Sequence, residues 1–359
     1  MPTNPEKETR PARPGEEIDA DRLATYLREN EFSDDDLLIE QFPAGSSNLT
    51  YLITTNGQEY VLRRPPFGNV VKTAHDMRRE FDVLSKLSRV YSPAPKPLIF
   101  CEDLSVMGTE FYLMERRVGL IIRGQLPSTP DFASAKNRLE QSQQFRSEVC
   151  SNFIENLAQL HRLDIRDAGL ENLGHPEGYC RRQVDGWSKR YQAARTHELP
   201  DAERVMAWLA NNVPAKSEAS IVHNDYKFDN VMLSPSDPTS TTAVLDWEMV
   251  TVGDPLMDLG TTLGYWMSPD VGDELLKMPF NPEILMRNVS RTTLAEMYSE
   301  ITGRDIRNIK FYYVFGTFKI AVIAQQIYAR FAAGKTRDER FLHFDRFVAA
   351  LIAVAINGF

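Results

Sequence analysis

Apolar and polar positions in the first part of the chain follow patterns that predict one helix and then a strand pair. In Ala20–Glu29 the apolar residues recur every three or four positions, which predicts a helix. The segments 48–55 and 58–63 read as strands, and Asn56-Gly57 between them is a strong signal for a two-residue hairpin turn. These segments predict a hairpin soon after the first helix.

Further along, the pattern changes from strands to helices. Residues 73–90 predict a helix, and 98–101 and 110–115 predict another strand pair. From about residue 125 onward the pattern is mostly helical, interrupted by apolar strand signals at 221–233 and 243–247. The pattern therefore predicts an α+β protein with a small β-rich part followed by a large, mainly helical part.

Composition narrows the class of protein. The chain has 359 residues with 42% hydrophobic content, which is enough for one large or two medium domains. A net charge of −9 argues against nucleic acid as the main partner. No apolar run reaches the roughly 18 residues that span a bilayer, and three widely spaced cysteines predict neither a disulfide framework nor a metal cluster. We expect a cytoplasmic protein without a membrane segment.

One segment carries most of the chemical information. It places His223, Asp225, Lys227 and Asn230 at the spacing H-x-D-x-K-x-x-N, and Asp246 ends the short apolar strand that follows. A kinase-type site needs an Asp to orient and deprotonate an attacking hydroxyl, and Asn and Asp oxygens to hold Mg²⁺ against nucleotide phosphates. The spacing fits that requirement; the alternative is a polar loop between two strands.

Several segments, taken in order, resemble the protein-kinase-like fold and, within it, the aminoglycoside-phosphotransferase-type small-molecule kinases. The chain also resembles the kinase-like domain of acyl-CoA dehydrogenase family fusion proteins. The segments that carry the resemblance are 60–66, 111–115, 174–187, 223–230, 244–248 and 253–260. The resemblance implies a bilobal fold with ATP and Mg²⁺ as cofactors. We expect a flexible arm over 1–19, a nucleotide-covering N-lobe over 20–116 and a C-lobe over 117–359.

In the C-lobe, the resemblance implies that Asp225 is the catalytic base and that Lys227 lies near the γ-phosphate. Asn230 and Asp246 would bind Mg²⁺, and His223 would brace the loop by hydrogen bonds. Asp246 is followed by Trp-Glu, where protein kinases have Phe-Gly, which removes the expectation of a mobile activation segment. Two further acidic residues either support the loop through backbone hydrogen bonds or serve as turn and helix-cap residues. These are Asp254 and Asp258.

In the N-lobe, Arg63 occupies the place where kinases carry the strand Lys that contacts the α- and β-phosphates. Strand alternation puts Val61 on the same face, where it would cover adenine, and leaves Arg64 outward. Glu80 on the following helix would form an ion pair with Arg63; the alternative is a solvated Glu on an amphipathic helix.

Two more segments complete the implied nucleotide site. The loop 44–48 lies where a phosphate-covering loop is expected, and its small residues and polar donors permit backbone approach to phosphates. After strand 110–115, backbone groups would hydrogen-bond adenine while a Met packs behind it. The residues expected here are Ser46, Ser47, Asn48, Met114, Glu115 and Arg117.

The acceptor is predicted to be a small hydroxylated molecule that is neutral or anionic, such as a hydroxyacyl compound. The stretch 307–337 contains no Asp or Glu but carries several Lys and Arg, and a second basic cluster surrounds Trp187. Both suit an anion better than a polycationic aminoglycoside, although they could be ordinary solvated helix faces. The alternative functions are an aminoglycoside O-phosphotransferase, a nucleotide-binding pseudokinase and a hydrolase. The charged residues concerned are Lys310, Lys319, Arg330, Lys335, Arg181, Arg182, Lys189 and Arg190.

Overall fold

The structure is a computed structural model that describes residues 8–43, 48–66, 76–124, 126–276, 282–336 and 338–359. The chain divides into two compact units, which we call the small unit and the large unit. Their bounds are Met1–Val118 and Gly119–Phe359.

The small unit is built on an antiparallel sheet. Its strands have the spatial order β1-β2-β3-β5-β4, and their bounds are β1 Leu38–Gln41, β2 Leu49–Thr55, β3 Gln58–Arg64, β4 Pro97–Cys101 and β5 Phe111–Glu115. Between β2 and β3, Asn56 and Gly57 have φ angles of 51° and 69°, as a type I′ turn requires. The predicted hairpin and the second strand pair are therefore confirmed.

Helices cover this sheet. They are α1 Ala20–Glu29, α2 Met77–Leu87 and α3 Leu104–Met107. Asp19 caps the N-terminus of α1, whose bounds are those predicted from periodicity, while residues 73–75 of the second predicted helix lie outside the described residues. Leu23 and Leu27 of α1 are buried against one face of the sheet.

The described part of the predicted arm, residues 8–19, lies against the same sheet. Arg10 bridges Gln41 of β1, and the hydroxyl of Tyr51 donates to the carbonyl oxygen of Glu16 at 2.6 Å. These contacts hold this segment beside the edge strand β1 of the sheet.

The large unit is mainly helical. Its helices are α4 Ala133–Gln141, α5 Gln143–Arg162, α6 Tyr179–Ala194, α7 Pro200–Asn211, α8 Pro255–Tyr265, α9 Asp273–Leu276, α10 Glu283–Met286, α11 Arg291–Thr302, α12 Ile309–Ala332 and α13 Phe344–Asn357. Helices α8 and α12 pack very closely, because a Cβ atom on Gly260 would lie 2.1 Å from the carbonyl oxygen of Tyr312. A Cβ atom on Gly316 would likewise lie 2.1 Å from the carbonyl oxygen of Gly260. Glycine at both positions lets the two backbones touch.

Short strands of the large unit hold the loop that the sequence analysis singled out. They are β6 Leu120–Ile121, β7 Ser220–Val222, β8 Val231–Leu233, β9 Thr241–Val244 and β10 Thr251–Gly253. They form two small sheets of order β6-β8-β9 and β10-β7. The predicted α+β class, with a β-rich and a mainly helical part, is confirmed. No helix in the described ranges is long and apolar enough to cross a membrane.

Candidate active site

Asp258 of α8 holds the start of the loop between β7 and β8. Its fully buried carboxylate accepts hydrogen bonds from the backbone N–H groups of His223, at 2.6 Å, and Asn224, at 2.8 Å. Asp254 instead caps α8 by accepting from the N–H of Leu256 at 2.8 Å. Of the two alternatives left open by the sequence, loop support is confirmed for Asp258 and helix capping for Asp254.

Asn224 has each of its polar groups engaged. Its N–H donates to Asp258, and its carbonyl oxygen accepts from the ammonium group of Lys319 on α12. Its side-chain oxygen accepts from the hydroxyl of Tyr179 at 3.0 Å, and its amide nitrogen donates to the carbonyl oxygen of Met249 at 3.0 Å. These bonds hold the residue at φ 68°, a left-handed conformation that Asn tolerates better than most residues. The backbone is therefore fixed immediately before Asp225.

The carboxylate of Asp225 accepts three side-chain hydrogen bonds. Oδ2 receives Lys227 at 2.8 Å and Asn230 at 3.0 Å, and Oδ1 receives the hydroxyl of Tyr265 at 2.7 Å. Burial raises the pKa of Asp225, but the Lys227 charge and the hydrogen bonds from Lys227 and Tyr265 outweigh it, so the pKa lies below its ordinary value. The carboxylate is thus ionised and oriented at neutral pH. The sequence analysis did not predict Tyr265.

Lys227 lies beside Asp225, and its ammonium group is also 4.7 Å from the centre of the Tyr265 ring. Burial lowers the pKa of Lys227, but Tyr265 and Asp225 together raise it above the ordinary value. The side chain therefore places a permanent positive charge next to the candidate base. Its predicted position near a γ-phosphate stays a prediction.

His223 braces the loop through both ring nitrogens. Nδ1 accepts from the backbone N–H of Asp225 at 3.3 Å, and Nε2 lies 2.9 Å from the carbonyl oxygen of Leu245. This pair of partners assigns the hydrogen to Nε2. The imidazole also meets the indole of Trp247 edge to face at 4.7 Å. These contacts confirm the predicted bracing role.

The two candidate metal ligands lie at the same end of the β8–β9 pair. Val231 is paired with Val244, and the N–H of Leu245 donates to the carbonyl oxygen of Asn230 at 2.8 Å, so that Asn230 and Asp246 flank the paired residues. Because the amide nitrogen of Asn230 is engaged within the loop, its oxygen Oδ1 is left to bind a metal. Asp246 adopts φ 65°. This left-handed conformation is strained for a residue other than glycine, and such strain is concentrated at functional sites.

The described residues contain no cluster of three or more His, Cys, Asp or Glu that could hold a metal ion. A site with two protein oxygens is nevertheless what Mg²⁺ uses when substrate phosphates and water complete its octahedron. Asn230 and Asp246 therefore fit a magnesium ion that binds together with a phosphate ligand.

In the small unit, Arg63 forms an ion pair with Glu80 of α2. The distance from Nη1 to Oε1 is 3.1 Å, and only 10% and 2% of the two side chains are exposed. The predicted pair is confirmed, whereas the contact of Arg63 with phosphate stays a prediction.

Arg64 lies on the opposite face of β3, but it is not outward as expected. It is only 3% exposed, and its guanidinium lies 3.2 Å from the carbonyl oxygen of Pro65 and 3.4 Å from that of Met107. The expectation was wrong because α1 and α3 cover this face of the sheet, so that residues 61–64 of β3 are buried on both faces.

Val61 and Met114 form an apolar pair on the face that carries Arg63. They lie directly opposite each other in β3 and β5, and both are buried. This placement fits the predicted packing against adenine without testing it. Asn48 is buried just before β2, while Ser46 and Ser47 lie outside the described residues.

The end of β5 and the residues just after it already make contacts of their own. The backbone N–H of Glu115 donates to the carbonyl oxygen of Lys96 at 2.9 Å, and its side chain pairs with Arg117 at 2.7 Å. A hydrogen bond between Glu115 and adenine would therefore use the carbonyl oxygen of Glu115 as the acceptor, and the predicted contact of Arg117 with adenine stays a prediction.

The basic residues of the acid-free run 307–337 do not all face one common site. Lys319 is buried and donates to the loop between β7 and β8 (residues 223–230), which we call the catalytic loop. Burial lowers the pKa of Lys319 to about 8, although Asp225 and Asp258 favour its charge. The expectation that the run as a whole faces the acceptor is therefore corrected. The exposed members are Arg307, Lys310, Arg330 and Lys335, and Arg337 lies outside the described residues.

A cavity of about 360 Å³ lies beside the catalytic loop, within the large unit. Asn224, Trp187, Arg182 and Arg190 are among the residues that line it. All four members of the predicted basic cluster are exposed, but only Arg182 and Arg190 line the cavity. The other two members do not line it. Those two are Arg181 and Lys189.

Comparison with known proteins identifies the family. The profile of the phosphotransferase enzyme family APH matches residues 38–280. The chain belongs to this phosphotransferase family. It is 36% identical over 319 residues to acyl-CoA dehydrogenase family member 11 of Gallus gallus and 34% identical over 324 residues to that of Homo sapiens. The alignments cover 88% and 89% of this chain but only 39% and 40% of those proteins. The chain thus spans about two fifths of their length.

Solved structures agree with this assignment. A Ralstonia eutropha protein assigned as an aminoglycoside phosphotransferase superposes with a TM-score of 0.78 at 29% identity, covering 95% of this chain and 98% of that one. A macrolide 2'-phosphotransferase of Brachybacterium faecium shares the fold, with a TM-score of 0.55 at 19% identity over 92% and 98% of the two chains. The predicted kinase-like fold and its resemblance to small-molecule phosphotransferases are confirmed.

Proposed function

We propose that this phosphotransferase moves the γ-phosphoryl group of ATP to a hydroxyl of a small, neutral or anionic metabolite, such as a hydroxyacyl compound. The observation that carries the proposal is the carboxylate of Asp225, ionised and held by hydrogen bonds of 2.7, 2.8 and 3.0 Å on a loop that Asp258 fixes. Phosphoryl transfer depends mainly on positioning and charge stabilisation, so a base of low pKa is sufficient.

In the proposed reaction, Asp225 accepts the proton of the acceptor hydroxyl as its oxygen bonds to the γ-phosphorus. The bond between that phosphorus and the β–γ bridging oxygen breaks, and ADP leaves with the electron pair. Lys227 supplies positive charge beside the reacting oxygens. Asn230 and Asp246 would hold Mg²⁺, which supplies charge neutralisation on the phosphates.

We assign the nucleotide-covering role to an N-lobe over 20–116, and the loop, metal and acceptor roles to a C-lobe over 117–359. The buried Arg63–Glu80 pair supports this division, because a guanidinium held by a carboxylate is positioned for phosphate recognition. The residues proposed to contact the nucleotide are Arg63, Glu80, Val61, Ser46, Ser47, Asn48, Met114, Glu115 and Arg117.

The acceptor proposal rests on charge. The cavity beside the catalytic loop is lined by two arginines and, within the described chain, by no acidic side chain. A polycation placed there would meet like charges and no carboxylate to pair with. An aminoglycoside is therefore the less favoured acceptor, although the R. eutropha neighbour is assigned to that class.

The test is ADP release with Mg²⁺·ATP across a panel of hydroxy acids, their thioesters, neutral polyols and kanamycin-type aminoglycosides. With the best acceptor, Asp225→Asn should lower turnover by roughly 10²–10⁴, the usual contribution of a general base. Affinity for Mg²⁺·ATP should stay within a few-fold, because the substitution leaves the metal ligands in place. Asp131→Asn, at an exposed position, is the matched control and should retain turnover.

The outcomes separate the alternatives. Binding of Mg²⁺·ATP without turnover of any acceptor would favour a pseudokinase. Efficient phosphorylation of an aminoglycoside would overturn the acceptor assignment while leaving the kinase assignment intact. Full activity of Asp225→Asn would exclude Asp225 as the base.

A further inference from the structure

The cavity next to the catalytic loop is lined by two arginines and, among the described residues, by no acidic side chain. Arg182 and Arg190 are both on α6, eight positions apart and so on neighbouring parts of the helix surface, and Trp187 lies between them along the chain. At about 360 Å³ the cavity is at the small end of the range for ligand pockets. It can therefore hold a small molecule or one end of a larger one.

The two arginines have no acidic partners in the part of the chain that the structure describes. Arg190 lies over the ring of Trp187 at 4.5 Å, and Arg182 donates to the carbonyl oxygens of His175 and Glu177. Neither contact neutralises a guanidinium. Arginine in a pocket without a carboxylate suits bidentate recognition of a carboxylate or phosphate group from a ligand.

Lys319 adds to the positive character of this region. Its buried ammonium group lies 5.5 Å from the centre of the Trp187 ring and donates to Asn224. Asp225 and Asp258 partly balance this charge. The two arginines are thus the lining cations that remain for a ligand.

The cavity also lies close to the candidate base. Asn224 lines the cavity, and the next residue is Asp225. Because Asn224 is held by hydrogen bonds on its backbone and side chain, the spacing between the cavity and the carboxylate is fixed. A molecule whose charged end occupies the cavity would therefore need its hydroxyl at a set distance from that end in order to reach Asp225.

We propose that this cavity is a subsite for an anionic group of the acceptor, a carboxylate or a phosphate. Arg190 is its main contact, Arg182 is the second, and Trp187 packs on the adjoining apolar part. The inference rests on the proposed function, and it narrows the acceptor to a small hydroxylated anion.

Direct binding tests the subsite without catalysis. Hexanoate, hexyl phosphate and uncharged hexanamide, none of which carries an acceptor hydroxyl, would be titrated into the protein by calorimetry. The wild-type chain should bind at least one anion roughly tenfold or more tightly than the amide, the usual effect of a charge-assisted hydrogen bond. The preferred anion distinguishes a carboxylate subsite from a phosphate subsite.

Matched variants on the same helix locate the contact. Arg190→Met should remove the preference for the anion, and Arg190→Lys should restore part of it. Lys189→Met removes one charge from an exposed neighbour that does not line the cavity, and it should keep the preference. Equal binding of anions and amide by the wild-type chain, or an equal loss in both Met variants, overturns the proposal.

Kinetics distinguish failure of the subsite from failure of the kinase assignment. With the best anionic acceptor, Arg190→Met should raise the acceptor KM roughly ten- to hundredfold and leave the KM for ATP unchanged. ADP release from a neutral acceptor with the same kcat/KM as its anionic counterpart would overturn the subsite alone. Failure to bind Mg²⁺·ATP would instead overturn the proposed function, while the calorimetric result would still stand.

Discussion

Replacement of Lys319 by Met should separate the stability of this protein from its activity. Lys319 is on α12 with 2% of its surface exposed, and its ammonium group donates to the carbonyl oxygen of Asn224. Methionine keeps the length of the unbranched side chain and its apolar contacts. The substitution therefore removes one buried charge and one hydrogen bond from the residue that precedes Asp225.

Two opposing terms set the change in stability. Burial lowers the pKa of Lys319 from 10.5 to about 8, so that holding its charge at neutral pH disfavours folding by roughly 3 kcal/mol. Loss of the hydrogen bond leaves the carbonyl of Asn224 without this donor, which costs about 1–3 kcal/mol. At pH 7 the Lys319→Met variant should therefore be as stable as the wild type or slightly more stable.

Turnover should nevertheless fall. The carbonyl of Asn224 would lose a partner that fixes the loop, and the charge that helps to lower the pKa of Asp225 would disappear. Since a small misplacement of a reacting group can lower the rate roughly a hundredfold, we expect a loss of about 10- to 100-fold in kcat. ADP release measures this change. The exposed Lys310→Met on the same helix is the matched control, and it should retain both properties.

The pH dependence gives the sharpest check. Because the pKa of Lys319 is lower in the folded than in the unfolded chain, the folded state releases its proton first, and wild-type stability rises between pH 8 and 10.5. Lys319→Met lacks this gain, so urea unfolding at pH 7 and near pH 10 should show the wild type improving relative to the variant. A variant that is much less stable than the wild type at both pH values by the same amount would refute the reasoning. Unchanged kcat would refute the positioning role.

Three further experiments test other parts of the structure. Asp246→Ala should fold normally and lose the Mg²⁺-dependent part of ATP binding; unchanged affinity in calorimetry would contradict the metal assignment. Arg63→Met removes the cation paired with buried Glu80 and should destabilise the chain by roughly 3–5 kcal/mol, whereas Arg63→Met with Glu80→Leu should regain most of that stability but keep a raised KM for ATP. Burial lowers the pKa of His161, so the stability of the wild type should fall as the pH drops below about 6.5. The unfolding temperature of His161→Gln should fall less than that of the wild type between pH 7 and 5.

Features that depend on nearby residues could be predicted from the sequence. The Asn56-Gly57 turn and the bounds of α1 follow from local propensity and helix periodicity. The Arg63–Glu80 pair was expected from the family resemblance. Asp225 and Asn230 are five positions apart, so their contact is encoded in one short loop. Local spacing was therefore sufficient to predict the central part of the candidate site.

Contacts between distant elements could not be predicted in this way. Tyr265 and Lys319 reach the loop from 40 and 95 positions away in sequence. Most of the first part of α12 is buried all round, so that no amphipathic pattern distinguishes the inward Lys319 from the exposed Lys310. Arg64 was misplaced for a related reason, because strand alternation gives the face of a side chain but not what covers that face.

The close packing of α8 and α12 explains how these distant residues meet at one point. Gly260 and Gly316 let the helix backbones touch, which brings Asp258 and Tyr265 from one helix and Lys319 from the other to the loop that carries Asp225.

The resulting cluster contains two carboxylates, Asp225 and Asp258, and two ammonium groups, Lys227 and Lys319. The carboxylates have lowered pKa values, Lys227 has a raised one, and Lys319 at about 8 is still mostly protonated at pH 7. Such a balanced cluster can stay ionised although it is buried, because each charge offsets part of the desolvation of its neighbours. Loss of any one member should therefore shift the pKa of Asp225, which makes the helix contact as important for the proposed base as the residues that touch it.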